Sequence, residues 1–169
     1  MMKIKKGIPL IDQHDKYGFW GGKFGGSYIP ETLRQPIDDL TIKFEKLRKD
    51  KKFLAERDYY YNNWVHKGPT PFIKLENLTN HLGGAQIYAK VVSAARGGAH
   101  KIYGAITAAM LCKKMGKRYL VTDTGAGYNG KMFSIAAKHF GLKCKVFMGY
   151  RDVQRQKPNV DAMKKNGAE

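Results

Sequence analysis

Two stretches hold the residue types that chemistry needs. The first, Ser93-Ala94-Ala95-Arg96-Gly97-Gly98-Ala99-His100-Lys101, joins a predicted strand to a predicted helix and places Lys101 in the helix's first turn. A cation suits the other end of a helix. A lysine held against the local dipole offers its neutral amine, the nucleophile that a Schiff base requires. The plainer reading is a solvated lysine in a lysine-rich chain. The second stretch, Thr122-Asp123-Thr124-Gly125-Ala126-Gly127-Tyr128-Asn129-Gly130, follows a strand and opens a helix. Backbone N–H groups around small residues cradle anions, and a helix N-terminus adds to this. Asp123 at the strand end could transfer protons, and the plainer reading makes Asp123 or Thr124 a helix cap. Gly125, Gly127 and Gly130 also fit a GxGxxG pattern. That pattern alone is a weak dinucleotide signal, and the segment about 20 residues on reads Met148-Gly149-Tyr150-Arg151-Asp152. His14, His66, His81, His100 and His139 show no metal-ligand spacing, so no metal site is expected.

The elements that must hold these loops follow from periodicity. Residues 1–82 read as a glycine-rich opening followed by helices, and residues 83–169 as a parallel βαβαβα segment. In the first part, Phe19 to Gly26 is loop chemistry and Pro30-Glu31 suits a helix start. Leu33, Ile37, Leu40, Phe44 and Leu47 step along one helix face, with Pro36 placed to kink or restart it. A second helix is predicted over 53–65, stopped by Pro69 and Pro71, and a third over 75–82, closed by Gly83-Gly84. In the second part, strands are predicted over 86–92, 118–122 and 144–148, and helices over 99–115, 130–140 and 153–166. The fold class is α/β, a three-layer α/β/α arrangement preceded by N-terminal helices. Gly167-Ala168-Glu169 reads as the approach to a further strand, so the sheet looks interrupted there.

Composition narrows the function classes. The chain has 169 residues, and 31 Lys and Arg against 14 Asp and Glu give a net charge of +17, which favours anionic partners. The basic residues are scattered, from Lys3–Lys6 through 46–52, 113–118 and 143–145 to Lys164-Lys165. Nucleic-acid binding as a main role is therefore a minor alternative. No stretch reads as a membrane span, and no long apolar segment follows the basic opening Met1 to Lys6, so a secretory signal is not expected. Cys112 and Cys144 lie far apart without CxxC spacing, which fits buried thiols in a reducing cytoplasm.

Read together, the motifs resemble one family. Gly22 to Leu33 resembles the opening signature of tryptophan synthase β subunits, and Gly68-Pro69-Thr70-Pro71-Phe72 their proline turn. Gly98-Ala99-His100-Lys101-Ile102 is similar to their lysine segment, and Asp123 to Gly127 to their Glu-Thr-Gly-Ala-Gly run. Met148 to Val160 and Met163 to Glu169 continue the match in order. The resemblance runs from about Lys16 to Glu169 and covers the N-terminal part of the family's chain. It implies an incomplete fold type II domain dependent on pyridoxal 5'-phosphate (PLP).

The family's reaction replaces the hydroxyl of L-serine with indole to give L-tryptophan, with an α subunit and a β homodimer as partners. By resemblance, Lys101 is the Schiff-base lysine, His100 the neighbour that meets the cofactor phosphate, and Asp123 stands where the family has a catalytic glutamate. Thr124, Gly125, Ala126 and Gly127 stand where the backbone cups the substrate carboxylate. The sequence departs from the pattern at 91–97, at Tyr103-Gly104 in place of an asparagine pair, and at 128–133. The family's phosphate loop and pyridine-nitrogen partner belong to a half outside the match, so the chain alone is expected to be inactive. The alternatives are a non-catalytic module binding an α subunit or complementary fragment, and a basic anion- or nucleic-acid-binding protein.

Overall fold

A computed structural model describes residues 5–15 and 17–169; the basic opening at 1–4 and residue 16 lie outside the described residues. The chain divides into two compact units, Met1–Thr41 and Ile42–Glu169.

In the first unit, the glycine-rich opening forms a small antiparallel hairpin of β1 (Phe19–Trp20) and β2 (Phe24–Gly25). Glycine is required at its end: a Cβ on Gly25 would lie 2.6 Å from the Gly18 carbonyl and 2.8 Å from the Trp20 ring. A short 3-10 turn, Glu31–Leu33, leads into α1 (Arg34–Leu47), whose last six residues belong to the second unit. Pro36 causes no break. It is the third residue of α1, in the turn whose N–H groups have no intrahelical acceptor, so its missing N–H costs nothing. The predicted apolar stripe is present, but Leu33, Ile37, Leu40 and Phe44 are exposed and only Leu47 is buried.

In the second unit, Asp50 caps α2 (Lys51–Tyr60), its carboxylate accepting from the N–H groups of Lys52 and Phe53 at 2.8 and 3.1 Å. The sequence predicts one helix over 53–65. The structure instead widens to a π-type turn at Tyr61–Val65, so that Tyr60 meets the Phe140 ring while Tyr61 meets Tyr103. β3 (Phe72–Lys74) follows the proline turn and precedes α3 (Glu76–Leu82), which Gly83 closes at a positive φ of 61°.

β4 (Tyr88–Lys90) corrects the predicted topology. The first strand of the expected parallel run is shorter than 86–92 and pairs antiparallel with β3, Ile73 opposite Ala89. The proline turn hides β3 from a sequence reading, because Pro69 and Pro71 mask the short extended run that follows them.

From there the alternation is as predicted. α4 (Lys101–Lys114), β5 (Tyr119–Thr124), α5 (Tyr128–Phe140) and β6 (Lys143–Met148) follow in order, with β5 and β6 parallel in register Leu120 to Cys144. Small residues let the helices pack closely. Ile102, Ala105, Ile106 and Ala109 of α4 and Met132 and Ala136 of α5 are fully buried, in one core with Leu120 and Cys144.

The predicted last helix is two: α6 (Tyr150–Arg155) and α7 (Lys157–Lys165), broken at Gln156. Pro158 explains the break. It lacks an N–H for the preceding turn and starts a new helix instead. Ala168 then bridges Cys144 in parallel sense, and the Glu169 N–H donates to the Cys144 carbonyl at 3.0 Å. No described helix is long and apolar enough to cross a membrane.

Candidate functional site

The loop before α4 is bent by glycine. Two 3-10 turns, Val92–Ala94 and Arg96–Gly98, carry the chain from β4, and Gly97 and Gly98 sit at φ 80° and 83°. Gly97 is pressed against α5, where a Cβ would lie 2.6 Å from the Met132 side chain. The chain therefore turns sharply and presents His100 as the cap and Lys101 as the first residue of α4. Ile102, one residue on, is fully buried, which fixes the helix's rotation and leaves Lys101 on the accessible side.

The second loop is tied down from within. Thr124 is buried, and its Oγ1 accepts from the Gly127 N–H at 3.1 Å. Gly127 takes a φ of 88°, and α5 begins at Tyr128. Asn129 folds back, its Nδ2 donating to Thr122 Oγ1 at 2.7 Å and to the Asp123 carbonyl at 3.0 Å.

The two loops meet at one open cleft of about 490 Å³, lined by Lys90, Ser93, Gly98, His100, Lys101, Ala126 and Tyr128 among others. Its position beyond the carboxyl end of β5 is where open α/β sheets bind ligands. The cleft holds two lysines with different duties. Lys90 Nζ donates to the Thr70 carbonyl at 2.6 Å, which fixes the antiparallel ribbon. Lys101 takes part in no hydrogen bond or ion pair among the described residues, so its amine is the free one.

Of the sequence-predicted residues, Lys101, His100 and Ala126 line this cleft. Gly125 and Gly127 flank Ala126 in the turn, while Thr124 lies beneath it. Asp123 does not line the cleft. Strand alternation puts it on the face of β5 with Tyr119 and Val121, opposite Phe147 of β6. Tyr103 does not line it either: its ring packs edge-on against Tyr61 at 5.0 Å. Sequence reasoning gave Lys90 no role; its bond to Thr70 depends on the unforeseen β3–β4 pairing. Among the described residues, no group of three or more His, Cys, Asp or Glu could hold a metal ion.

The donor set suits an anionic aldehyde. A free amine meets a carbonyl carbon, while an imidazole, the Ser93 hydroxyl and the first-turn N–H groups of α4 suit phosphate oxygens. These residues fit one side of such a group.

Comparison with known proteins agrees with this chemistry. The family model described as "Pyridoxal-phosphate dependent enzyme" matches residues 64–169. The tryptophan synthase beta chain of Fusobacterium nucleatum subsp. nucleatum is 41% identical over 154 residues, a match covering 91% of this chain and 38% of that relative. The chain thus spans well under half the length of this relative.

Proposed function

The chain belongs to the pyridoxal-phosphate-dependent enzyme family, and on that premise we propose that it carries the lysine-bearing side of a cofactor site for β-replacement, L-serine and indole giving L-tryptophan. The observation that carries this reading is the meeting of the free Lys101 amine and the Ala126–Tyr128 turn in one cleft. The cofactor, when bound, supplies an electron sink for carbanion chemistry at the substrate α-carbon. Lys101 Nζ would hold the cofactor and would serve as the base that moves the substrate's α-proton. His100 and the N-terminus of α4 would hold the cofactor's phosphate. The turn at 125–127 binds the substrate carboxylate through the N–H groups of Gly125 and Ala126, that of Gly127 being donated to Thr124 Oγ1.

Asp123 is the proton-transfer group by its place in the motif. Its carboxylate reaches the reacting atoms only with a change from the exposed position described above. The chain alone is proposed to lack turnover, because its residues supply one side of the site. The buried free thiols Cys112 and Cys144 fit a reducing, cytoplasmic setting.

The test is spectroscopic. PLP added to the pure chain should give a cofactor–lysine absorbance band that is lost in Lys101→Ala. An identical band in that variant would overturn the assignment.

A second reading, binding to a partner chain, has its own support. Parallel sheets are normally covered on both faces, whereas Tyr119, Val121 and Phe147 on one face of the β5–β6 pair are 45%, 55% and 61% exposed. The partners proposed are the remainder of a β chain, a β homodimer mate and an α subunit. Co-elution with the complementary β-chain fragment or an α subunit in size-exclusion chromatography supports this reading, and elution with neither counts against it.

A further inference from the structure

We infer that Asn159 is a positioning residue for the 125–127 turn and sets the affinity of the site for a substrate carboxylate; this rests on the carboxylate role given to that turn above. Asn159 stands on α7, and its Nδ2 donates to the Ala126 carbonyl at 2.9 Å. The next peptide atom is anchored too, since the Gly127 N–H donates to Thr124 Oγ1 at 3.1 Å. A peptide unit is planar, with its C=O and N–H on opposite sides. Anchoring both therefore stops the 126–127 plane from rotating.

The direction of that lock matters. The Ala126 carbonyl would repel a carboxylate if it faced one, and Asn159 holds it toward α7. A freed peptide could turn this oxygen toward the anion. The amide is itself oriented: Asn159 Nδ2 also lies 3.5 Å from Gln156 Oε1, so nitrogen rather than oxygen faces Ala126.

Two glycines make the approach of α7 possible. A Cβ on Gly127 would lie 2.6 Å from Asn159 Cβ, and one on Gly130 would collide with Met163 Sδ. Asn159 and Met163 are four residues apart, on one face of α7. Asn159 seats the 126–127 peptide from outside the cleft, while Met163 packs on Gly130 further along α5. Ala126 is the point at which this seating reaches the site, because it also lines the cleft beside Lys101.

The test follows the backbone amides of Gly125, Ala126 and Gly127 by NMR while L-serine is titrated with PLP present. It compares the parent chain, Asn159→Ala, Asn159→Asp and Met163→Leu. Asn159→Asp is isosteric and keeps the packing against Gly127 but has no donor at neutral pH, so it gives the answer even if Asn159→Ala fails to fold. Loss of one hydrogen bond of ordinary net strength should weaken L-serine roughly three- to tenfold in both Asn159 variants. Met163→Leu should leave the affinity unchanged, and the Lys101-dependent band should persist in all. Equal affinities in the parent and the Asn159 variants would overturn the inference, as would an equal loss in Met163→Leu. If the parent amides do not move although the band forms, the carboxylate role of the turn fails and the inference with it. Absence of the band as well would bring down the reading of the whole cleft.

Discussion

The guanidinium carbon of Arg96 stands 4.3 Å from the ring centroid of Trp64, and its Nε donates to the Trp64 carbonyl at 2.8 Å. One side chain thus satisfies a carbonyl at the end of the π-type turn and stacks on the residue that carries it. The contact joins the loop leading to Lys101 to a helix end 32 residues earlier in the chain. Arg96→Ala should lower stability by roughly 1–2 kcal/mol, at the low end for a site this exposed. Arg96→Lys should recover little of it, because an ammonium cannot stack and fork at once. Urea midpoints at unchanged m-value measure both, and a lysine variant as stable as the parent would refute the stacking argument.

His139 extends the same cluster. Its ring lies 4.3 Å from Trp64 and 5.4 Å from Tyr60, edge-on to the latter. Burial against these rings, followed by the charge of Arg96, holds its pKa below the usual histidine value. The folded state therefore binds fewer protons than the unfolded state as pH falls below about 6.5, the unfolded value. Stability from this group is complete above that pH and is lost as pH falls toward the depressed folded value. The ring keeps some solvent exposure, so the slope should be shallow. His139→Gln should flatten the dependence of the urea midpoint on pH below about 6.5. An unchanged slope would show that the cluster does not resist protonation.

What the sequence reveals here depends on how local each cause is. The α4–β5–α5–β6 alternation is written in periodic apolar residues and in glycines such as Gly141, which closes α5 at φ 65°. The lysine and glycine loops are legible because strand ends and helix starts bring them to the same edge. The antiparallel partner of β4 is not legible, since Phe72–Lys74 is three residues long and hidden behind two prolines. The exposed position of Asp123 depends on a strand's side-chain parity, and a one-residue difference in where that strand is registered reverses it. Asn159 falls within the Met148–Val160 motif, but the motif does not show what it touches. Its bond to Ala126 spans 33 residues, and only the packing of α7 on α5 brings the two together.

Two glycine-to-alanine changes within helices should have opposite signs. A Cβ on Gly130 would meet Met163 Sδ, lie 2.7 Å from Val146 Cγ1 and 3.2 Å from Thr124 Cγ2. Met163 is flexible, but Val146 is β-branched and has little rotamer freedom. Overpacking should cost roughly 1–3 kcal/mol and outweigh the gain in helix propensity. Gly104 lies in α4 with nothing within 4 Å of its would-be Cβ. Gly104→Ala should therefore stabilise by roughly 0.5–1 kcal/mol. Paired thermal melts decide the matter: two shifts of the same sign would contradict the packing described for the start of α5.

The two cysteines offer a probe of how often the core opens. Burial pushes the Cys144 thiol up to about 11, and burial likewise raises Cys112. The thiolate is the reactive form. At neutral pH a thiol titrating near 11 is thiolate in only about 1 part in 10⁴, by the factor of ten that each pH unit contributes. Cys112 is also engaged, its Sγ lying 3.4 Å from the Tyr119 carbonyl. A thiol-reactive disulfide reagent should therefore label neither residue promptly in the native protein and both promptly in urea. The slow native rate should track the population of opened molecules, so the destabilising Gly130→Ala should raise it and Gly104→Ala should lower it. Prompt labelling of Cys144 without denaturant would mean that the β5–β6 core is open to solvent.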